Sequence, residues 1–126
     1  MSVNHPTVLI VDDDEVVTQQ FARQLRLDGC HVRTALDPAT GLAEAMSARP
    51  DAVILDYRMP LTDGLAFLKQ LRAVDALQRT PVTIVTGDYF IDDGVCAELQ
   101  ALGADLRFKP LWIEDLWALV RGMLAR

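Results

Sequence analysis

Short apolar runs alternate with longer segments of helical period along this chain, five times over. Residues 8–11, 31–35, 52–55, 82–86 and 105–108 read as strands, most of them aliphatic or β-branched and bounded by turn formers. Between them, Glu15 to Leu27 carries Val17, Phe21 and Leu25 on one face, with Asp14 placed as N-cap. Asp37 and Pro38 open a second helix in the same way, a cap followed by a first-turn proline, and it runs to about Ala48. Leu65, Leu68 and Leu71 give the third helix its stripe, Val95, Leu99 and Leu102 the fourth, and Leu116, Val120 and Met123 a fifth that continues to Arg126. Gly29 and Gly103 stand where helices end in a left-handed residue.

This alternation implies parallel strands joined by right-handed crossovers, with helices on both faces of one sheet. The predicted fold is therefore a five-stranded, doubly wound α/β domain. With 126 residues, 51% of them apolar and 24% charged, the chain has the size and composition of one globular domain, residues 1–126, in which residues 1–6 form a short polar tail. Its apolar runs are too short to span a membrane and its start has no signal-peptide core, so cytoplasmic placement is expected. A net charge of −6 argues against direct contact with nucleic acid phosphates. Cys30 and Cys96 have neither metal nor redox spacing and read as reduced, mostly buried residues. His5 and His31 stand alone and suggest neither a metal site nor a phosphocarrier.

In a parallel sheet every strand's C-terminal end lies on one edge, where open α/β folds bind ligands. Asp12, Asp13 and Asp14 follow the first strand, Asp56 ends the third, Thr86 ends the fourth, and Lys109 follows the fifth. Pro60, four residues after Asp56, keeps that turn from becoming a helix. Each residue has an ordinary use: Asp56 as a turn former, Asp12 to Asp14 as caps, Thr86 as a strand residue, Lys109 as a solvated charge. Their meeting at four strand ends favours chemistry. Crowded carboxylates repel unless a cation joins them, and oxygen ligands without Cys or His favour Mg²⁺. An in-line carboxylate with a metal, an ammonium and a hydroxyl for the equatorial oxygens suits phosphoryl transfer.

Four segments in order resemble the receiver domain of two-component response regulators: Val8-Leu9-Ile10-Val11-Asp12-Asp13-Asp14-Glu15, Leu55-Asp56-Tyr57-Arg58-Met59-Pro60 with Asp63-Gly64, Val85-Thr86-Gly87, and Phe108-Lys109-Pro110. The resemblance covers nearly the whole chain and implies a flavodoxin-like fold with strand order 2-1-3-4-5. It makes Asp56 the phosphoacceptor, with Asp12, Asp13, Asp56 and the backbone carbonyl of Arg58 at the metal. Of the acidic pair Asp13 is favoured as the direct ligand, and Asp14 remains a cap. Thr86 and Lys109 become the phosphoryl-sensing hydroxyl and the charge partner, and a cis Lys109–Pro110 peptide is implied. The implied cofactor is Mg²⁺, with Mn²⁺ as a substitute. The implied donor is a histidine kinase or histidine phosphotransfer protein. Output would pass to a downstream protein or an output domain through the face of the fourth helix, fifth strand and fifth helix, a face also suited to dimerisation. Such a chain is a switch rather than an enzyme, turning over only its own phosphoryl group.

Two positions depart from the pattern. Leu106 stands where receivers usually carry a switching aromatic, while Tyr89, Phe90, Trp112 and Trp117 gather in sequence around the signalling face. Arg58, two residues past Asp56, is a long cation placed to lean over a phosphoryl group, and Asp88, two past Thr86, is placed to pair with it. Competing readings are weaker. Asp12-Asp13-Asp14-Glu15-Val16 fits the opening of haloacid-dehalogenase-like phosphatases, but a helix begins at once where those enzymes insert a substrate-covering element. A nucleotide- or flavin-binding module needs a Gly- or Ser/Thr-rich loop where this chain has three aspartates. A receiver used only for docking, without phosphorylation, disagrees with the intact residue set.

Overall fold

The computed structural model describes residues 5–59 and 62–125. Pro60, Arg126 and the first four residues of the expected tail lie outside the described residues. Strands β1 (Thr7–Val11), β2 (His31–Ala35), β3 (Ala52–Asp56), β4 (Val82–Thr86) and β5 (Ala104–Phe108) alternate with helices α1 (Glu15–Leu27), α2 (Pro38–Ala48), α3 (Gly64–Arg72), α4 (Asp93–Ala101) and α5 (Ile113–Leu124). The strands form one parallel sheet in the order β2-β1-β3-β4-β5. Only β3 differs in a way that matters for chemistry, running one residue further than the sequence pattern and ending on Asp56, which pairs with Val85.

Alternation along the strands divides the core. Leu9, Val11, Val53 and Leu55 meet Ala45 of α2, Phe67, Leu68 and Leu71 of α3, and Leu99 of α4. Val8, Ile10, Ile54 and Val85 meet Ala22 and Leu25 of α1 and Leu116 and Val120 of α5. Successive strand side chains point to opposite faces, so β1 to β4 serve both layers, while the edge strand β5 gives Ala104 and Leu106 to the first. The buried stripe of α1 is Thr18, Ala22 and Leu25, whereas Val17 and Phe21 are half-buried. Small residues at 18 and 22 seat that helix on the sheet and turn the larger pair toward a cleft beside the sheet's C-terminal edge.

Four helices start on an aspartate whose carboxylate accepts a first-turn backbone N–H: Asp14 from Val17, Asp37 from Thr40, Asp63 from Ala66, and Asp92 from Gly94 and Val95. Each satisfies donors the helix cannot pair internally. Gly29 and Gly103 do adopt positive φ, at 98° and 82°, and Arg49 ends α2 in the same left-handed region at 48°. Between β3 and α3 lies a small antiparallel pair, Arg58–Met59 with Thr62–Asp63, too short for hydrophobic periodicity to reveal. His5 and His31, unpaired in sequence, meet in a T-shaped ring contact with centroids 5.6 Å apart, because the chain entering β1 lies beside the start of β2. Cys30 is buried, Cys96 half-buried, and both are free thiols.

Gly41 shows how closely α2 lies against β1. A Cβ there would stand 3.0 Å from both Val11 methyls and 3.1 Å from the Phe67 ring. Gly41→Ala is therefore expected to lower stability by about 1–3 kcal/mol despite alanine's better helix propensity, as read by urea denaturation.

Candidate functional site

The strand ends place the predicted residues at one rim. Asp12 and Asp56 are each 7% exposed, Thr86 is buried, Asp13 is exposed, and Lys109 is half-buried. Carboxylate oxygens of Asp12, Asp13 and Asp56 lie within 4.8 Å of one another. Lys109 Nζ is 3.3 Å from Asp56 Oδ1, and the Lys109–Pro110 peptide is cis. Asp56, Arg58, Thr86, Asp88 and Lys109 share an open cleft of about 350 Å³. A larger cleft of about 680 Å³ begins at Asp12, Asp56 and Lys109 and runs between α1 and the start of α5, past Val17, Phe21 and Trp112.

The acids are held in place by backbone groups. Asp12 Oδ1 accepts the Asp14 N–H at 2.9 Å, and the buried Thr18 hydroxyl reaches the carbonyls of Asp12 and Asp14 at 3.3 and 2.8 Å. The sequence offers one sign of Thr18, its place four residues after Asp14, but its support of the acidic turn emerges only in three dimensions. Burial raises the Asp12 carboxyl to about 6, with the Asp56 charge adding to the rise and the Asp14 N–H opposing it. Burial also raises Asp56, while the charge and hydrogen bond of Lys109 draw it back. A rim with two raised carboxyls and a third acid at hand fits a hard divalent cation, which lowers the repulsion that burial intensifies.

Outside the acidic centre, Arg58 and Asp88 form a charged pair across the cleft. The hydrogen bond from Arg58 holds Asp88 below the usual carboxylate range, and Asp88 in turn raises the guanidinium. Asp88 N–H donates to Thr86 Oγ1 at 3.0 Å, so the loop after β4 is tied to the Thr86 hydroxyl. Leu106 is half-buried against the core layer of α2, α3 and α4. Tyr89, Phe90 and Trp112 are exposed rather than buried, at 61%, 94% and 59%, and Trp117 is half-buried.

The chain belongs to the response regulator receiver domain family, whose family model matches residues 8–121. It is 41% identical over 124 residues to the transcriptional regulatory protein PrrA of Mycobacterium tuberculosis, an alignment covering 98% of this chain and 52% of that protein. It is 37% identical over 119 residues to the response regulator MprA of Mycolicibacterium vanbaalenii, covering 94% and 50%. Among solved structures, the chemotaxis response regulator CheY4 of Vibrio cholerae superposes with a TM-score of 0.86 at 31% identity, covering 96% of this chain and 100% of that one. The chain spans about half the length of the curated relatives it matches. It is thus a receiver domain of the two-component response regulator class, with the flavodoxin-like architecture of CheY-like proteins. Among the described residues no helix is long and apolar enough to cross a membrane.

Proposed function

We propose that Asp56 accepts a phosphoryl group from the phosphohistidine of a histidine kinase or phosphotransfer protein. What carries this reading is a buried carboxylate at a strand end, beside two further acids, with the Lys109 ammonium 3.3 Å away. An Asp56 oxygen attacks phosphorus, the P–N bond breaks, and the imidazole nitrogen keeps the electron pair and takes up a proton. Asp12, Asp13, Asp56 and the Arg58 carbonyl would hold Mg²⁺, or Mn²⁺ in its place. Bound there, the ion supplies positive charge that offsets the acidic rim and the incoming phosphoryl oxygens. Lys109 pairs with Asp56 before transfer and with a phosphoryl oxygen afterwards, and the Thr86 hydroxyl donates to another. Hydrolysis of the aspartyl phosphate resets the domain, so it acts as a switch whose turnover is confined to its own phosphoryl group. The signal leaves by the face of α4, β5 and α5, toward a downstream protein or an output domain in a cytoplasmic pathway, through a population shift. Residues 1–126 act in this reading as a single receiver domain that neither binds nucleic acid directly nor enters a membrane.

Incubation with acetyl phosphate and Mg²⁺ tests this directly: mass spectrometry is expected to show a gain of one phosphoryl group that chelation of the metal abolishes. An unchanged mass would overturn the assignment.

The Arg58–Asp88 pair sets the lifetime of that group. The pair lines the cleft that also holds Asp56 and Thr86, and in this reading it screens the phosphoryl group from hydrolytic water. Arg58→Ala and Asp88→Ala are each expected to speed loss of the phosphoryl group about twofold to fivefold, the range suited to an exposed ion pair. The double variant should be no faster than either single one, because both remove one shared interaction. Unchanged dephosphorylation rates would sink the gate.

A further inference from the structure

Tyr89, in the loop after β4, makes its contacts toward the phosphoryl site rather than toward the core. Its ring stacks on Phe108 with centroids 5.2 Å apart, and its hydroxyl donates a hydrogen bond to the Lys109 carbonyl. From the other side, the Lys109 N–H donates to the Thr86 carbonyl at 2.8 Å. Both backbone polar atoms of Lys109 are therefore held by one continuous segment, residues 86–89. That segment is fastened in turn to the Thr86 side chain, whose Oγ1 accepts from the Asp88 N–H at 3.0 Å. A hydroxyl has one donor and two acceptor positions, so Thr86 keeps Asp88 while donating to a phosphoryl oxygen.

We propose that Tyr89 is a positioning residue that couples Thr86 to Lys109. When the Thr86 hydroxyl moves toward a phosphoryl group on Asp56, it draws Asp88 and Tyr89 with it. Tyr89 passes that displacement to the Lys109 carbonyl through its hydroxyl and to Phe108 through its ring. The two groups that grip the phosphoryl oxygens then move as one unit instead of independently. Leu106 on the neighbouring strand position has no polar atom with which to make such a link. Tyr89 and Phe108 are 61% and 45% exposed, so their movement also alters the surface that a partner meets. This role rests on the reading of Asp56 as acceptor.

Two substitutions separate the contacts: Tyr89→Phe keeps the ring stack and removes the hydroxyl, while Phe108→Leu does the reverse. In the metal-free protein, the Lys109 carbonyl carbon resonance, read by NMR, is expected to shift upfield in Tyr89→Phe, because that oxygen loses the hydroxyl that donates to it. With Mg²⁺ and beryllofluoride as a phosphoryl mimic, the wild-type resonances of residues 86–89 and 108–111 should shift together. In Tyr89→Phe only the first set should shift fully. Phosphorylation by acetyl phosphate should lose rate at saturation with little change in the half-saturating concentration, as expected when a group acts after the donor has bound. Phe108→Leu should give an intermediate loss of the coupled shift. An unaltered Lys109 carbonyl resonance, or both segments shifting fully in Tyr89→Phe, overturns the coupling while leaving Asp56 as acceptor. A wild-type protein that takes up no beryllofluoride overturns both.

Discussion

Asp56→Asn is expected to abolish the Mg²⁺-dependent mass gain from acetyl phosphate, with a loss in rate on the order of a thousandfold or more, the scale on which removal of a nucleophile acts. Asparagine matches aspartate in shape, so the strand end and its backbone pairing with Val85 survive. What disappears is the anionic oxygen proposed to attack phosphorus. The substitution also removes one of the charges that raise Asp12, so the variant should fold at least as well as the wild type at neutral pH. Lys109→Ala should be milder, about a hundredfold, because it removes stabilisation of the phosphoryl oxygens and leaves the nucleophile in place. It strips Asp56 of the charge and hydrogen bond that draw its carboxyl down. Equal mass gain in wild type and Asp56→Asn would show that another residue carries the group. Equal rates in wild type and Lys109→Ala would remove Lys109 from the site.

Most of this site is legible in the sequence, for a physical reason. Parallel strands put their ends on one edge, so finding Val11, Leu55, Thr86 and Phe108 as strand ends places Asp12, Asp56, Thr86 and Lys109 together with no contact prediction. Helix starts were equally open, since an aspartate before a helical stripe has a local purpose. What stayed hidden depends on helix rotation and loop path. The stripe Val17, Phe21, Leu25 is a sound helical pattern, yet α1 buries Thr18 and Ala22, since small residues allow closer approach than large ones. Thr18 bonding to the Asp12 and Asp14 carbonyls follows from that rotation. Tyr89 could be seen as aromatic and near the signalling face, but its hydrogen bond to Lys109 depends on how the loop after β4 folds back over β5. The pairing of His5 with His31 has the same origin, being a matter of register between neighbouring strands.

Replacing Asp12 should reveal the strain that a bound cation would relieve. The Asp12 carboxyl rises from 3.8 in the unfolded chain to about 6 in the folded one, mainly through burial. A raised acid favours the folded state in its protonated form, so this contribution is fully present below the unfolded value and lost as pH rises through the folded one. Above pH ~7 the metal-free protein therefore carries the whole cost, at most about 3 kcal/mol for a shift of this size. Asp12→Asn removes the charge and keeps an acceptor for the Asp14 N–H. It is expected to stabilise the metal-free protein by about 1–3 kcal/mol above pH ~7, an advantage that shrinks steadily as pH falls toward 4. Mg²⁺ should stabilise the wild type over the same upper pH range and do little for Asp12→Asn, since a ligand that binds only the folded state stabilises it by an amount that grows with the logarithm of its affinity. Urea denaturation at several pH values, with Mg²⁺ and with chelator, measures both effects. A stability difference that stays constant across that range would mean that Asp12 carries no buried charge to relieve.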